Sequence, residues 1–536
     1  MSAEARPRGY LALLLHAHLP FVRHPEHEFF LEEDWLFEAI VETYIPLLDL
    51  FYRLVDDGVR FQLTLVLSPP LCEMLDDRLL RARYTRHLLM LEQLIKTEIE
   101  RTRAEPHLRY LAEHYAERLE RTKAVWRRLD GDLVSAFGAL ADRGFLEIIT
   151  CAATHGYLPL MQPHPPAVWA QIKIACDHYQ RRFGRPARGI WLPECGYYRG
   201  LETLLAKAGL RYFVADTHGL LFGSPRPQKA NYAPIFAGES GVAVFARDPA
   251  SSNEVWSRER GYPGDFQYRE FYRDIGHDLE LADVAPFLRP VGLRKNTGIK
   301  YHRITGPTEE KQLYDPYWAQ KRAEEHAEDF ANKRSAQIDD VAPQMLGPPL
   351  VVAPYDAELF GHWWYEGPWW LEALLRKLPQ RSGELQTISL GDYLKRHPVH
   401  QKMDAAQSSW GERGFHEYWL NKSTEWIYPQ LHLAARRMIS LANAHAQASG
   451  LLKRALDQAA RELLLAQSSD WAFIMRSKTV VDYAVSRTKT HIGRFAKLAK
   501  AIKSGDIDEK WLASVEYLDN VFADLDYRVY RGEEQS

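Results

Sequence analysis

Short apolar runs alternate with longer amphipathic stretches over most of the chain before residue 400. The runs combine Val, Ile, Leu and aromatic residues without alternating polar positions, and most continue into a turn that contains Pro, Gly, His or Asp. Continuous runs of this kind are typical of parallel strands that are covered on both faces. The pattern predicts strands at residues 10–15, 61–67, 146–151, 189–192, 212–215, 242–246 and 350–353.

Seven such strands with helices between them favour a closed or nearly closed barrel over an open doubly wound sheet. No glycine-rich fingerprint follows the first strand, so a dinucleotide-binding fold is not indicated. We therefore predict an α/β protein with a distorted, TIM-like (β/α)7 barrel in residues 1–422.

Two segments have helical patterns without strands. In residues 77–140, apolar positions such as Leu88, Leu91 and Leu94 recur at helical spacing, which predicts a helical subdomain inserted after the second strand. Residues 423–536 contain no strand pattern and no linker rich in Gly, Ser or Pro, which predicts a C-terminal helical domain packed against the barrel. The helices predicted there span residues 424–446, 451–466, 480–501 and 508–524, and turns are predicted between them at residues 449–450, 468–470 and 504–505.

Composition narrows the class of protein. The net charge of −3 gives no electrostatic reason to expect a nucleic-acid or membrane partner. Four cysteines without CxxC spacing fit a reducing compartment. No apolar run approaches the roughly 18 residues that a membrane span requires. We expect a monomeric cytoplasmic protein.

Two carboxylates stand directly after apolar runs, Glu194 after residues 189–192 and Asp356 after residues 350–353. In parallel barrels the active site is built from the C-terminal ends of the strands. Glycosidic bond cleavage uses a pair of carboxylates, and sugar rings stack on aromatic faces. Aromatic residues make up 12% of the chain, and tryptophans crowd into residues 363–419. The sequence therefore indicates sugar chemistry, although a lone carboxylate after a strand is more often a helix cap.

Histidines follow the first and third predicted strands. The pair His16 and His18 has the H-x-H spacing that also begins some metal-dependent hydrolases, and His155 could supply a third ligand. Neither carboxylate stands in a ligand spacing with another histidine, so we expect no metal and no cofactor. Neutral histidines that hydrogen-bond substrate hydroxyls fit the aromatic surroundings better, with a structural role as the alternative for His18.

Four ordered motifs resemble those of glycoside hydrolase family 57, and they lie at residues 16–20, 156–159, 191–197 and 355–364. The resemblance implies that Glu194 is the nucleophile and Asp356 the general acid/base of a retaining mechanism, with carboxyl groups about 5–5.5 Å apart. We expect neighbouring donors to keep Glu194 ionised, and an aromatic, poorly solvated niche to keep Asp356 protonated.

The resemblance is strongest to the α-1,4-glucan branching enzymes of that family, which implies an α-glucan substrate such as amylose, amylopectin or glycogen-like chains. An α-amylase or a 4-α-glucanotransferase of the same family is the alternative. A catalytically silent glucan-binding protein is a third hypothesis, which the presence of both carboxylates opposes.

Further residues are expected to bind substrate. Trp410 and Trp419 are similar to two gate tryptophans of these enzymes, and the loop of residues 223–234 with Tyr232 is the nearest counterpart of their mobile loop. A third gate tryptophan is replaced here by Phe266 or Tyr268. The other candidate substrate-binding residues are His16, His18, His155, Trp191, Arg247, Asp248, His362 and Trp363, of which Asp248 could equally cap a helix.

Overall fold

The computed structural model describes residues 7–257, 260–289, 293–381 and 383–532. All seven predicted strands are present, and three short strands of two or three residues add to them within the described residues. The strands are β1 Gly9–Ala17, β2 Leu63–Leu67, β3 Leu146–Ile149, β4 Gly189–Trp191, β5 Tyr212–Ala215, β6 Ile235–Ala237, β7 Ala243–Ala246, β8 Leu350–Asp356, β9 Leu385–Thr387 and β10 Lys402–Met403.

The strands form two sheets. One has the order β3-β2-β1-β8, with β9 also paired to β1, and the other has the order β10-β6-β7-β5-β4. Every pair is parallel except β6 with β7. The sheets meet where the Trp191 amide donates to the Thr150 carbonyl at 2.8 Å, and again where the Asp248 amide donates to the Val352 carbonyl at 2.8 Å.

The α-helices pack around the sheets, and loops and short 3-10 helices connect these elements. The α-helices are α1 Asp34–Ala39, α2 Ile45–Asp56, α3 Pro69–Asp76, α4 Arg78–Arg101, α5 Pro106–Arg128, α6 Leu133–Asp142, α7 Pro165–Phe183, α8 Leu201–Lys207, α9 Thr217–Leu221, α10 Pro249–Trp256, α11 Ile275–Asp278, α12 Leu281–Val284, α13 Pro316–Val341, α14 Gly367–Lys377, α15 Leu390–Arg396, α16 Ile427–Ala444, α17 Gly450–Ala466, α18 Ser469–Ser477, α19 Val481–Ser504 and α20 Glu509–Leu518.

The described residues contain helices in both of the segments for which the sequence predicted them. Helices α4, α5 and α6 occupy the segment after β2, and α4 begins where the Asp77 side chain accepts a hydrogen bond from the Leu80 amide. One prediction is wrong: residues 468–470 were expected to form a turn, but Ser469 begins α18. Serine and aspartate favour both turns and helix N-termini, so local sequence does not separate the two.

Buried side chains on the strands fall into two layers. One cluster takes Leu14 from β1, Trp191 from β4, Phe245 from β7 and partners from β2, β3, β5 and β8. The intervening strand positions, such as Leu13 and Leu15, pack against the helices. Both faces of each strand are therefore apolar, which explains the continuous runs in the sequence. Among the described residues, none of the helices combines the length and apolar character needed to cross a membrane.

Candidate active site

Glu194 lies in the sharp turn that directly follows β4. Its backbone has φ 61° and ψ 26°, and Cys195 has φ 51°, a region that residues other than glycine seldom adopt. Such conformations cost energy and cluster at functional sites. The turn directs the carboxylate to two donors: Trp410 Nε1 donates to Oε2 at 2.7 Å, and Ser469 Oγ donates to Oε1 at 3.4 Å.

Asp356 ends β8 beside His16 of β1, since these two residues are partners in the parallel register. His16 Nδ1 lies 3.1 Å from Asp356 Oδ1. The Asp356 side chain is 37% exposed, whereas that of Glu194 is 12% exposed. The two predicted catalytic carboxylates thus differ in their access to solvent.

Three histidine rings stack between the carboxylates. The rings of His18 and His155 are 3.9 Å apart and nearly parallel, at 12°, and those of His16 and His155 are 5.2 Å apart. His155 Nδ1 lies 3.9 Å from Glu194 Oε1, while His16 contacts Asp356. Asp356 therefore borders one histidine of this stack and Glu194 borders the next, and the two carboxylates lie near enough for the charge of Asp356 to act on Glu194.

The histidine nitrogens are held in a specific pattern. His18 Nδ1 contacts Ser68 Oγ at 2.9 Å, and His18 Nε2 contacts both Asp470 oxygens at 3.1 Å. His155 Nδ1 contacts Ser469 Oγ at 2.8 Å. In the described part of the chain, the Nε2 atoms of His16 and His155 are buried without a hydrogen-bond partner. Two ring nitrogens are thus free to meet the hydroxyl groups of a sugar.

Two groups of side chains bring metal-ligand atoms within 4.8 Å of one another: His16 with Cys151 and His155, and His18 with His155 and Asp470. Imidazole lone pairs lie in the ring plane, so two parallel stacked rings do not aim at one ion. Burial raises the pKa of the Cys151 thiol well above its ordinary value, and a protonated thiol is a poor ligand. This geometry favours hydrogen bonding to substrate over metal binding.

The pKa of Glu194 differs from the expectation that neighbouring donors keep this carboxylate ionised. Burial raises the pKa of Glu194 to about 8, the carboxylates of Asp356 and Asp470 add to this, and the donors Trp410 and Ser469 only partly oppose it. The free site therefore retains a proton on Glu194 at neutral pH, because the donors do not outweigh desolvation. Burial also lowers the pKa of His16 and of His155, so these rings are neutral.

Aromatic and cationic side chains complete this part of the site. The buried Trp191 stacks on His16 at 5.1 Å and meets Trp410 edge-on at 5.0 Å. Arg247 follows β7, pairs with Asp216 at 2.9 Å and lies 6.0 Å from the Trp410 ring. Trp410 thus lies beside Glu194, and Trp191 and Arg247 lie beside Trp410.

His362 and Trp363 lie on the Asp356 side. His362 Nδ1 contacts Glu42 Oε2 at 2.5 Å. Trp363 is 55% exposed and stacks on Phe271 at 4.6 Å between ring centres. This exposed indole presents a face on which a sugar ring can stack.

Four predicted substrate-binding residues lie elsewhere. Asp248 is 2% exposed and caps α10 through the Ser251 amide, so its alternative role is the one observed. Tyr268 is fully buried against His326, and Trp419 is buried behind Tyr157. The Tyr232 carbonyl accepts from the Leu350 amide at the first residue of β8, the opposite end from Asp356. Residue type and position along the chain do not distinguish a cleft aromatic from a buried one.

Sequence reasoning missed Ser469, Asp470 and Glu358. Burial acts to raise the pKa of Asp470, but His18 and the Ser468 hydroxyl outweigh it and lower the pKa. Glu358 accepts from the Tyr44 hydroxyl at 2.5 Å and the His18 amide at 3.1 Å, and burial raises its pKa to about 8. Its position two residues after Asp356 was an available signal.

Comparison with known proteins places this geometry in a family. A family model described as glycosyl hydrolase family 57 matches residues 12–406, and a model described as the C-terminal domain of 1,4-alpha-glucan branching enzyme matches residues 430–530. The chain belongs to glycosyl hydrolase family 57. The family resemblance drawn from the four sequence motifs is thereby confirmed.

Several similar proteins match nearly the whole chain. A 1,4-alpha-glucan branching enzyme of Thermococcus kodakarensis is 34% identical over 96% of this chain and 77% of its own length. The solved structure of the alpha-amylase AmyC from Thermotoga maritima is 44% identical, covers 98% of this chain and 99% of its own, and has a TM-score of 0.92. The solved structure of the branching enzyme from Pyrococcus horikoshii is 34% identical. It covers 99% of this chain and 98% of its own, and has a TM-score of 0.89.

Proposed function

We propose that this family 57 protein is a 1,4-α-glucan branching enzyme that cleaves α-1,4 bonds and transfers the released chain to a 6-hydroxyl group. The observation that carries the proposal is the convergence of Glu194 and Asp356 on one pair of histidines beside exposed aromatic rings. Branching enzymes that match nearly the whole length of the chain support the choice of reaction.

In this proposal Asp356 protonates the glycosidic oxygen while Glu194 attacks the anomeric carbon, which gives a covalent glycosyl-enzyme. Asp356 then removes the proton from the attacking 6-hydroxyl group, and the glycosyl–Glu194 bond breaks. Glu194 must be ionised when it attacks, so its raised pKa makes proton loss a requirement for reaction. The displacement at carbon needs no cofactor.

The substrate is an α-glucan chain such as amylose, amylopectin or a glycogen-like polymer. The free Nε2 atoms of His16 and His155 support hydrogen bonds to its hydroxyl groups. Trp410, which donates to Glu194, and the exposed Trp363 supply aromatic faces for sugar rings, and Arg247 lies next to Trp410.

We further propose that seven parallel strands close into a distorted (β/α)7 barrel. The shared cluster of side chains from β1, β2, β3, β4, β5, β7 and β8 supports a common interior. The hydrogen bonds from Trp191 to Thr150 and from Asp248 to Val352 would then close the two seams. The barrel would occupy residues 1–422 with the helical insertion at about 77–140, and residues 423–536 would form the helical domain.

A cytoplasmic location and a monomeric state remain part of the proposal. All four cysteines are free and buried, which fits a reducing compartment.

Hydrolysis is the alternative outcome of the same chemistry, and the 44% identity to a structure titled as an alpha-amylase favours testing it. Water would then take the glycosyl group in place of a 6-hydroxyl group. Incubation with amylose followed by an α-1,6-specific debranching enzyme distinguishes the two. Short chains released by debranching are expected. A rise in reducing ends without new 1,6 linkages would contradict branching and support hydrolysis.

A further inference from the structure

We propose that Ser469 is a positioning residue that joins Glu194 to His155 in a chain of two hydrogen bonds, whose direction reverses when Glu194 gains or loses its proton. Through this residue the C-terminal helices would take part in the reaction of the α/β region. The inference rests on the proposed role of Glu194 as nucleophile and adds a role for the side chain behind it.

Contacts between the C-terminal helices and the segment after β3 fix the position of Ser469. Its hydroxyl lies 2.8 Å from His155 Nδ1 and 3.4 Å from Glu194 Oε1. Its own amide donates to the His155 carbonyl at 3.1 Å. Nearby, Thr154 Oγ1 donates to the Leu464 carbonyl at 2.5 Å. The first turn of α18 is thereby held against the segment that carries His155.

The second oxygen of Glu194 is already committed. The indole Nε1 of Trp410 donates to Oε2 at 2.7 Å, and an indole nitrogen can only donate. A proton on the carboxyl group is therefore favoured on Oε1, because this leaves Oε2 as the carbonyl oxygen, which is the better acceptor for the indole N–H. That oxygen is the one that faces Ser469.

Two arrangements satisfy the donors and acceptors, because a serine hydroxyl has one proton and a neutral histidine has one N–H. When Glu194 is ionised, Ser469 donates to it and accepts from His155 Nδ1, so His155 Nε2 is left as an acceptor. When Glu194 is protonated, it donates to Ser469, Ser469 donates to His155 Nδ1, and His155 carries its proton on Nε2.

Conversion from the protonated to the ionised arrangement releases one proton. The Glu194 proton moves to Ser469 Oγ, the former Ser469 proton moves to His155 Nδ1, and the Nε2 proton leaves to a water molecule or a substrate hydroxyl. Only O–H and N–H bonds form and break. The buried nucleophile thus loses its proton through His155 Nε2, which is itself buried and has no hydrogen-bond partner among the described residues.

Other titratable groups face Glu194 from the elements packed against it. The carboxylates of Asp356 and Asp470 favour its protonated form. The remaining groups are thiols or phenols whose pKa values are raised, which leaves them neutral. They are Cys151 at the end of β3, Tyr157 in the loop after it, Cys195 in the same turn and Tyr418 beside Trp410.

The test compares Ser469→Ala with wild type and with the control variant Ser477→Ala. Ser477 lies at the other end of α18, where its hydroxyl donates to the Ile474 carbonyl. The rising limb of the pH profile of kcat/KM should move to higher pH in Ser469→Ala, because a donor to ionised Glu194 is lost. We expect a loss of about tenfold at neutral pH that is recovered at alkaline pH. Ser477→Ala should keep the wild-type profile, and Ser469→Thr should restore it.

A second measurement does not depend on activity. In histidine-selective ¹⁵N NMR, with the His155 signals assigned by their loss in His155→Asn, the wild-type ring should change from the Nε2–H to the Nδ1–H tautomer as Glu194 deprotonates. Ser469→Ala and Glu194→Gln should both abolish that pH-dependent change.

The inference would be overturned if the rising limb of kcat/KM is unshifted in Ser469→Ala, or if kcat/KM falls by the same factor at every pH. It would also be overturned if the His155 tautomer still changes with pH in Ser469→Ala. Failure of the proposed function has a separate sign, which is bond cleavage that survives Glu194→Gln. If Glu194→Gln is inactive and Ser469→Ala shifts neither the profile nor the tautomer, the relay alone is wrong.

Discussion

The chain buries two clusters that each combine histidine with carboxylates, and their contrast shows what distinguishes a reactive site from a structural one. The first holds Glu194, Asp356 and Asp470 around stacked histidines at the strand ends. The second lies within the C-terminal helices, where His491 Nδ1 contacts Glu462 Oε2 at 2.7 Å and Asp519 lies close by.

The clusters differ in their counter-ions. Asp519 pairs with Arg494 and lies 3.6 Å from Arg487 Nη2. Burial acts to raise the pKa of Asp519, but His491 and the two arginines outweigh it and lower the pKa to about 2. In the described part of the chain, the ion-pair partners of Glu194, Asp356 and Asp470 are all histidines. Burial alone therefore does not identify a reactive carboxylate. In this chain the carboxylates of the candidate active site differ from Asp519 in having no arginine partner.

Replacing Glu194 with Gln should give the largest effect in either cluster. The amide keeps the shape of the side chain but cannot attack the anomeric carbon, so we expect bond cleavage to fall by roughly 10⁴-fold or more. A carboxyl group whose pKa is raised by folding destabilises the folded state as pH rises through about 8. The variant should therefore unfold at the same temperature as wild type or a higher one at alkaline pH, as measured by circular dichroism. Retained cleavage would remove Glu194 from its proposed role.

Replacing Asp519 with Asn should instead cost stability. The change removes the carboxylate that pairs with Arg494 and lies near the buried Arg487, and breaking a buried ion pair costs about 3–5 kcal/mol. Activity per folded molecule should stay within about twofold of wild type. The measurement is urea unfolding at several pH values. Because the pKa of Asp519 is lowered to about 2, its contribution is present above its unfolded pKa and is lost as pH falls towards that value.

The matched control is Asp526→Asn, which removes an exposed carboxylate that pairs with Arg528 at 2.9 Å. An exposed pair contributes about 0–1 kcal/mol, so this variant should unfold close to wild type. If Asp519→Asn unfolds like its control, the arginines do not depend on Asp519 and the contrast between the clusters fails.

The sequence predicted the parts of the molecule that local pattern determines. Strands such as β1 and β8 are runs of apolar residues because both faces are covered, and a carboxylate at the end of such a run marked Glu194 and Asp356. Strands β6, β9 and β10 are two or three residues long and leave no comparable pattern.

The rest of the site depends on contacts between distant segments. Asp470 lies 452 positions from its partner His18, and the serines before it suggested a turn. The pKa of Glu194 is likewise set by burial and by carboxylates from other elements, which the sequence around residue 194 does not contain. Asp248 fits both a cap and a cleft residue by position, and only the observed bond to the Ser251 amide decides between them.

Replacing Trp410 with Phe should give the smallest effect of these substitutions. It is also the most direct test of how the active-site cluster differs from the cluster around Asp519. The aromatic ring remains, but the donor to Glu194 Oε2 is lost, and this donor lowers a pKa that burial raises to about 8. The rising limb of kcat/KM should therefore move to higher pH, with a loss of about tenfold at neutral pH that alkaline pH recovers.

Trp471→Phe is the matched control, because that indole donates to the Leu465 carbonyl at 2.8 Å and not to a carboxylate. It should lower stability by about 1 kcal/mol and leave the pH profile unchanged. Equal profiles in the two variants would show that the donor does not control the proton on Glu194.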